Sequence, residues 1–203
     1  EFDIINVSDS KIIFSDSIAK PSLISVAYEP QLLKPQQRGK LRISYDAMAL
    51  NELGFRNDNV TLYTSESRED AIKSVSVYAT LQEYFPPMTS DELAVAPKLE
   101  IKEAIKDLGK IKMDEQESVE FLLTNTGQKP LNIRALKPNC SCVTATAESM
   151  TIPPNSSTKL TVTLNSQGRR GNQQKSVAIF SNDPKASAQR ITIKAYIESD
   201  SKL

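Results

Sequence analysis

Two cysteines separated by one residue are the feature of this sequence whose type and spacing could do chemistry. Cys140 and Cys142 lie in the segment "KPNCSCV" and are the only cysteines among the 203 residues. Two thiolates this close can hold a soft metal ion such as Cu(I), exchange with other dithiols or close a disulfide. They can also be small buried side chains, because cysteine is among the most frequently buried residue types.

The surrounding pattern favours packing as the role of the pair. When "KPNCSCV" is aligned with the similar segment "KPSLISV" of the first half, Leu23 stands at Cys140 and Ser25 at Cys142, and a leucine indicates a core position. A disulfide stays open, although i and i+2 in an extended strand lie about 6.5–7 Å apart at Cα, so the bridge needs a local turn. A metal or redox site with Cys140 and Cys142 as its thiol groups is the third interpretation.

Composition excludes several classes of site. Histidine is absent, which excludes Ser-His-Asp and Cys-His catalysis and every zinc site that needs an imidazole. Two cysteines cannot complete a four-thiolate zinc site within one chain. Lys plus Arg equal Asp plus Glu at 25 each, so no net charge attracts nucleic acid or anionic lipid. We therefore predict a protein that is not an enzyme, with no catalytic residues, no cofactor or metal and no nucleic-acid partner.

Three charged segments are interpreted as solvated or structural. The basic segment "RRGNQQK" is typical of a loop between strands, and "DEQESVE" has four carboxylates without the ligand spacing of a calcium loop. The segment "SNDP" predicts a turn capped by its own side chains, not a catalytic acid.

The two halves of the sequence repeat one plan. "LLKPQQRGKLRISYD" matches "TIPPNSSTKLTVTLN" at the same offset that relates Phe2 to Phe121, which is 119 positions. "GFRNDNVTLYTSE" matches "GNQQKSVAIFSND", and "KSVSVYATL" matches "QRITIKAYI", with the offset shifted by two or three residues. Changes of loop length produce such shifts, so one supersecondary unit is used twice.

Within each copy, apolar residues alternate with polar ones. Leu160, Val162 and Leu164 alternate with threonines, and Ile191 and Ile193 belong to a similar run. A period of two is that of a strand with one face on a core, and turns rich in Pro, Gly and Asn separate the runs. We predict an all-β fold of two tandem immunoglobulin-like antiparallel β-sandwiches joined by a short helical linker.

The segment "FPPMTSDELAVAPKLEI" between the copies breaks the alternation. Thr89 or Ser90 can cap a short helix there, and Pro97 ends it.

Domain bounds follow from this break. The second copy is preceded by "KLEIKEAIKDLGKI", which supplies leading strands that the first copy lacks before Phe2. We therefore expect the first domain to lack its opening strands. The predicted parts are a degenerate sandwich over residues 1–85, a linker with a short helix over 86–97, and a sandwich with the C-x-C motif over 98–203.

The second copy also carries a series of motifs in a fixed order. These are "DLGKI", "FLLTNTG", "CSCV", "IPPNSSTKLTVTL" and "SNDP", and they resemble the bacterial β-sandwich family catalogued as domain of unknown function 1573. Leu108, Val143 and "PPN" depart from the Phe, Thr and Pro-Gly of the family pattern. The first half resembles the degenerate leading domain of two-domain members of the Bacteroides type, through "LKPQQRGKLRISYDA" and "ELGFRNDNVTLY".

The resemblance implies export to the periplasm or cell surface, and kinship with Ig-like modules that act as scaffolds. The predicted function is an exported, non-enzymatic Ig-like module for protein–protein interaction or envelope support, with an unidentified protein partner. One alternative is a thiol-based copper carrier or redox protein that uses Cys140 and Cys142; another is a glycan-binding accessory protein. No apolar run approaches the ~20 residues of a membrane span, and a leader or lipid anchor ahead of Glu1 is compatible with the sequence.

Overall fold

The structure is a computed structural model that describes residues 1–50, 52–67 and 70–198. The chain divides into two compact units, unit 1 (Glu1–Leu81) and unit 2 (Gln82–Leu203). Among the described residues, no helix combines the length and the apolar character needed to span a bilayer.

Unit 1 is built from two small sheets. Its elements are β1 (Phe2–Ile5), β2 (Ile12–Ala19), β3 (Ile24–Glu29), β4 (Leu32–Leu33), β5 (Arg38–Tyr45), α1 (Ala47–Leu50), β6 (Gly54–Thr64) and β7 (Ile72–Leu81). One sheet has the strand order β1-β5-β3 and the other β4-β2-β6-β7. The strand pairs in both sheets are antiparallel.

Unit 2 is built from two larger sheets. Its elements are α2 (Ser90–Val95), β8 (Leu99–Glu100), β9 (Ile105–Lys112), β10 (Gln116–Asn125), β11 (Leu131–Pro138), β12 (Val143–Ala147), β13 (Thr151–Ile152), β14 (Ser157–Asn165), β15 (Gly171–Ser181) and β16 (Ala188–Glu198). One sheet has the order β12-β14-β10-β8 and the other β13-β11-β15-β16-β9.

The all-β class predicted from the sequence is confirmed, with one departure from the antiparallel arrangement. β9 runs parallel to β16, with Thr192 opposite Ile105 and Ile197 opposite Ile111. The alternation of apolar residues reports which face of a strand is buried, and it says nothing about strand direction. This is why the sequence pattern did not indicate the parallel pair.

The predicted alternation of burial is also confirmed in unit 2. Leu160 and Val162 are fully buried, and Ile191 and Ile193 are almost fully buried, whereas the intervening Thr161 is only partly covered. Side chains from both sheets of the unit meet in one buried cluster. Burial of each such aliphatic side chain stabilises the fold by roughly 1.5–3 kcal/mol before entropy is counted.

The repeat seen in the sequence extends to single hydrogen bonds. In unit 1 the buried Asn6 amide donates to the Ser10 and Leu33 carbonyls over 2.7 and 3.0 Å. In unit 2 the Asn125 amide donates to the Lys129 and Ile152 carbonyls over 2.8 and 2.9 Å. Each acceptor in unit 2 lies 119 residues after its counterpart in unit 1, so the offset holds across these turns.

The short helix predicted in "DELAVA" is present as α2. Thr89 is its N-cap, and its side chain accepts from the Glu92 N–H while the Glu92 carboxylate accepts from the Thr89 N–H. This reciprocal pair is a capping box, which satisfies two backbone donors at the helix start. The helix gives way to extended backbone at Ala96, the residue before Pro97, as expected ahead of proline.

Unit 1 holds a polar triad in which Tyr45 takes the place of the buried Leu164 of unit 2. Arg56 donates to both carboxylate oxygens of Asp58 over 2.9 and 3.0 Å, and the Tyr45 hydroxyl donates to Asp58 over 2.9 Å. Tyr45 lies opposite Ile24 as Leu164 lies opposite Val143 in unit 2. The hydrogen bonds from Arg56 first, and then that from Tyr45, hold the pKa of Asp58 below its ordinary value of 3.8.

Replacing Asp58 by asparagine is expected to make the free energy of unfolding of unit 1 depend less on pH in the acid range. Because folding lowers the pKa of Asp58, its contribution is present above about pH 4 and is lost as pH falls through the folded pKa. Urea unfolding of wild type and Asp58→Asn, followed between about pH 7 and about pH 3, should show curves that converge on acidification. Tyr45→Phe removes one donor and should give an intermediate result. Parallel curves over the whole range would contradict this role for Asp58.

Candidate functional site

The C-x-C pair lies in a turn between two strands. β11 ends at Pro138 and β12 begins at Val143, with both cysteines between them. The Val143 N–H donates to the Cys140 carbonyl over 3.2 Å, which closes the turn. The turn brings the Cα atoms of Cys140 and Cys142 to 5.3 Å, shorter than the i to i+2 spacing of an extended strand.

Cys140 and Cys142 are joined by a disulfide. The favoured interpretation of the pair as free packing residues is therefore wrong, and the local turn that a bridge requires is present. The expected burial is confirmed, since Cys142 is 7% exposed within the core cluster, Cys140 is half-buried and Ser141 is exposed. The sequence analysis left the bridge open without favouring it, because an extended strand would hold the two Cα atoms about 6.5–7 Å apart.

The bridge limits the chemistry available at this site. In the disulfide neither sulfur is a thiolate, so Cu(I) binding or dithiol exchange would require prior reduction or attack by an external thiolate. Cys140 packs against the core only in part, and its sulfur also accepts the Cys142 N–H over 3.2 Å. Cys140 is therefore the sulfur that an external thiolate reaches more easily.

The same turn occurs in unit 1 without cysteines. The Ile24 N–H donates to the Pro21 carbonyl over 3.1 Å, the counterpart of the bond that closes the C-x-C turn. At the offset of 119, Pro21 stands at Cys140 and Leu23 at Cys142. The alignment that placed Leu23 at Cys140 was therefore wrong by two residues, because the offset changes from 119 to 117 only after this turn, between β5 and β6.

Removing the disulfide is expected to destabilise unit 2 modestly and leave its fold intact. A loop this short constrains the unfolded chain by about 1.5 kcal/mol in the chain-entropy model. Cys140→Ser combined with Cys142→Ser should therefore lower the thermal midpoint by ~4–8 °C. Reductant should shift the wild type in the same direction and leave the double variant unchanged. Loss of cooperative unfolding in the double variant would contradict this expectation, because it would show that the fold of unit 2 requires the bridge.

The Asp183 side chain of "SNDP" caps a turn, as predicted. It is 2% exposed and accepts the Lys185 and Ala186 N–H groups over 2.9 and 3.2 Å. It also accepts the Leu99 N–H over 2.9 Å, which fastens β8 to the turn. All of these acceptor contacts are structural.

The basic segment "RRGNQQK" is a loop only at Arg169 and Arg170, because residues 171–175 lie in β15 and pair with β16. The prediction of a loop over the whole segment is therefore wrong. β15 borders an open groove on unit 2. The groove has a volume of about 460 Å³. Its exposed polar lining includes Lys110, Asn172, Gln174, Lys194 and Tyr196.

An exposed aromatic pair on unit 1 escaped the sequence analysis. Phe55 on β6 and Tyr78 on β7 are 69% and 64% exposed. Their rings are stacked, with centroids 6.1 Å apart and planes inclined by 22°. The outward positions next to them on the same strands include Asn57, Asn59, Ser74 and Ser76. An aromatic residue in line with such polar residues is a signal that the sequence offered. We call Phe55 and Tyr78 the aromatic pair.

Unit 2 is a domain of two β-sheets around one core, with a C-x-C turn between β11 and β12. This combination of fold and motif defines its class. Residues 99–197 match the model of the family described as "Protein of unknown function (DUF1573)", and this part of the chain is a domain of that family. The resemblance drawn from the sequence motifs is thereby confirmed.

The chain as a whole is similar to a protein of unknown function from Porphyromonas gingivalis. The two share 22% identity with a TM-score of 0.61, over 95% of this chain and 87% of that one. At this level of identity the similarity shows a shared fold. No curated protein sequence matches the chain.

Two further solved structures are similar at a lower level. A PapD-like domain of human CEP192 has 13% identity and a TM-score of 0.40, over 60% of this chain and 97% of that one. A Bacteroides ovatus GH5 xyloglucanase has 11% identity and a TM-score of 0.35, over 50% of this chain and 19% of that one. Similarities this low say nothing about function.

Proposed function

We propose that the protein is an exported, non-enzymatic module of two Ig-like sandwiches whose unit 1 binds a protein partner. The observation that carries this proposal is the aromatic pair on the surface of unit 1. Exposed aromatic side chains supply large contact areas at low entropic cost, and they dominate the energetics of protein interfaces. A stacked pair on two neighbouring strands is therefore suited to anchor a partner.

The comparison between the two units supports this choice of surface. Gly54 pairs with Leu81 as Gly171 pairs with Ile197, so the strands β6 and β7 correspond to β15 and β16. The counterparts of Phe55 and Tyr78 are then Asn172 and Lys194, which are exposed and polar. The aromatic pair is thus peculiar to unit 1 and is not required by the repeated fold.

The disulfide supports the exported location. Disulfides form and persist in oxidising compartments, such as the periplasm and the cell surface. The bridge between Cys140 and Cys142 agrees with the export that the family resemblance implies.

A glycan is the second candidate ligand, and it is favoured by the polar side chains around the aromatic pair. Asn57, Asn59 and Ser76 are exposed on the same two strands, and the Ser76 hydroxyl donates to the Asn59 side chain over 2.9 Å. Amides and hydroxyls beside an aromatic ring offer a sugar both stacking and hydrogen bonds.

Site-specific photo-crosslinking tests the proposal and separates the two ligands. A photoreactive phenylalanine analogue replaces Phe55 in one sample and its counterpart Asn172 in a matched control. Both are irradiated in envelope preparations of the source organism. We expect a discrete adduct from Phe55 and none from Asn172. Digestion of the adduct by protease identifies a protein partner, and digestion by glycosidases alone identifies a glycan.

Two outcomes would overturn the protein-binding proposal. One is adducts of equal yield from both positions, which would indicate nonspecific contact. The other is an adduct that only glycosidases remove, which would establish the glycan alternative.

A further inference from the structure

The open groove on the outer face of unit 2 is built from three adjacent strands. β15, β16 and β9 lie side by side in the five-stranded sheet, and the groove of about 460 Å³ lies on their exposed face. The strand register places its exposed side chains in two rows across the three strands. One row is Asn172, Tyr196 and Lys110, and the other is Gln174, Lys194 and Asp107.

The two rows have the dimensions of a small ligand. Successive side chains on one face of a strand are about 6.5–7 Å apart, and the outer two of three strands are about 10 Å apart. The groove volume of about 460 Å³ lies within the range of sites for small molecules, about 300–1,000 Å³. A mono- or disaccharide has the size that fits this area.

A bulge in β9 turns one of the lysines toward the groove. Two residues of β9, Leu108 and Gly109, lie opposite the single residue Ala195 of β16. Gly109 has the left-handed φ of +68° that glycine supplies in bulges. Leu108 packs against the core, whereas Gly109 and the following Lys110 are both exposed. In an unbroken alternation Lys110 would face the core, so the bulge is what places it on the groove side.

The two lysines of the groove are only weakly neutralised. Lys194 forms no ion pair with another described residue. The Lys110 ammonium lies 3.5 Å from the Glu198 carboxylate, and these side chains are 74% and 48% exposed. Because exposed ion pairs of this kind contribute little, the carboxylate of a ligand can compete with Glu198 for Lys110.

The other side chains of the groove suit a ring that carries hydroxyl groups. The amides of Asn172 and Gln174 both donate and accept hydrogen bonds. The Asp107 carboxylate accepts the Gly109 N–H over 2.8 Å and has further lone pairs for a hydroxyl donor. The Tyr196 ring is 46% exposed and offers an apolar face. A simple anion would use the lysines and leave these groups without a role.

The positive charge of the groove is not a consequence of the repeated fold. By the pairing of β6 with β7 and of β15 with β16, the counterparts of Lys194 and Tyr196 in unit 1 are Tyr78 and Thr80. Neither carries a charge at neutral pH. The combination of a lysine with an aromatic ring at this place is therefore specific to unit 2.

We propose that this groove binds a small acidic sugar, a uronic acid alone or within a disaccharide. Lys110 and Lys194 bind the carboxylate of the sugar, and Asp107 accepts from its hydroxyl groups. The ring of Tyr196 covers one face of the sugar, and the two amides fix its orientation. This inference goes beyond the proposed function, because it assigns to unit 2 a second ligand of another chemical class.

The test titrates the full chain with digalacturonate, a disaccharide with two carboxylates, and follows the backbone amide resonances by NMR. We expect saturable shifts in residues 107–110, 172–174 and 194–196, with a dissociation constant on the order of 1 mM. One control ligand is the same disaccharide with its carboxylates reduced to alcohols, and the other is succinate, an acyclic dicarboxylate. Each should bind at least about tenfold more weakly, because the first lacks the charge and the second lacks the ring.

A matched pair of variants on β9 tests the role of the lysines. Lys110→Gln and Lys112→Gln each remove one positive charge from an exposed position of the same strand, and only Lys110 lines the groove. We expect at least about tenfold weaker binding of digalacturonate for Lys110→Gln and less than about a twofold change for Lys112→Gln. Glu198→Gln removes the competing carboxylate, so it should tighten binding by about two- to threefold.

Several outcomes would overturn the inference. One is the absence of shifts in the groove at digalacturonate concentrations far above the expected dissociation constant. Equal binding of the reduced disaccharide would exclude the role of the lysines, and equal binding of succinate would exclude that of the sugar ring. Equal weakening by both lysine variants would indicate general charge attraction in place of a site. Shifts confined to residues 55–59 and 74–78 would assign the sugar to the aromatic pair.

These outcomes are distinguishable from those of the crosslinking experiment. A mono- or disaccharide adds too little mass to appear as a discrete adduct from Asn172, so that position keeps its value as a control. An adduct from Phe55 without shifts in the groove would support the proposed function and overturn this inference. Shifts in the groove without an adduct from Phe55 would support this inference and count against the aromatic pair.

Discussion

Replacing Asn125 by alanine is expected to lower the free energy of unfolding of unit 2 by about 3–5 kcal/mol. Asn125 is fully buried. Its amide donates to two carbonyls, and its oxygen accepts the Gly127 N–H over 2.9 Å. Alanine would leave these buried groups without hydrogen-bond partners and would create a small cavity. Each unpaired group costs about 1–3 kcal/mol. Thermal and urea unfolding measure the loss.

The chain offers three matched controls for this experiment. Asn125→Asp keeps the shape and the acceptor but replaces both donors with oxygen, so it should be at least as damaging as alanine. Asn6→Ala should destabilise unit 1 by a comparable amount, because Asn6 makes the equivalent bonds. The exposed Asn172→Ala should change stability by less than about 0.5 kcal/mol. A small effect of Asn125→Ala would mean that water replaces the amide.

Much of the fold follows from patterns that have a direct physical cause. The alternation around Leu160 and Ile191 predicted half-buried strands because side chains on a strand point to opposite faces. The capping residue Thr89 and the stop at Pro97 predicted α2 because both act on the local backbone. The internal repeat predicted that one arrangement occurs twice, and the paired bonds of Asn6 and Asn125 bear this out.

Features that depend on distant contacts did not follow from the sequence. The direction of β9 is set by where the chain crosses between sheets, and an alternating pattern carries no record of it. The bridge between Cys140 and Cys142 depends on a turn that also bonds to the neighbouring strand, where the Asn165 N–H donates to the Cys142 carbonyl over 2.8 Å. This backbone bond leaves no trace in the sequence pattern. The different exposure of Phe2 and Phe121, 46% and 1%, depends on which other elements lie against each ring, because their own sequence patterns match.

Replacing Gly127 by alanine is expected to detach β8 from β10 and to cost unit 2 about 2–4 kcal/mol. The added Cβ would collide with the Ala96 carbonyl oxygen, and it would lie 2.7 Å from the Lys98 nitrogen and 2.8 Å from the Pro97 Cα. These are backbone atoms, so no side-chain rotation relieves the clash. The affected segment donates and accepts bonds that hold β8, including that from the Thr126 N–H to the Lys98 carbonyl over 2.9 Å.

Gly109→Ala separates crowding from backbone strain in this experiment. Gly109 has a φ of +68° and nothing within 4 Å of an added Cβ, so alanine there should cost only the ~1 kcal/mol of a left-handed conformation. Hydrogen exchange at Leu99 and Thr126 should accelerate in Gly127→Ala and stay unchanged in Gly109→Ala. If the two variants lose equal stability, close passage of the chain over Gly127 is not what fixes β8.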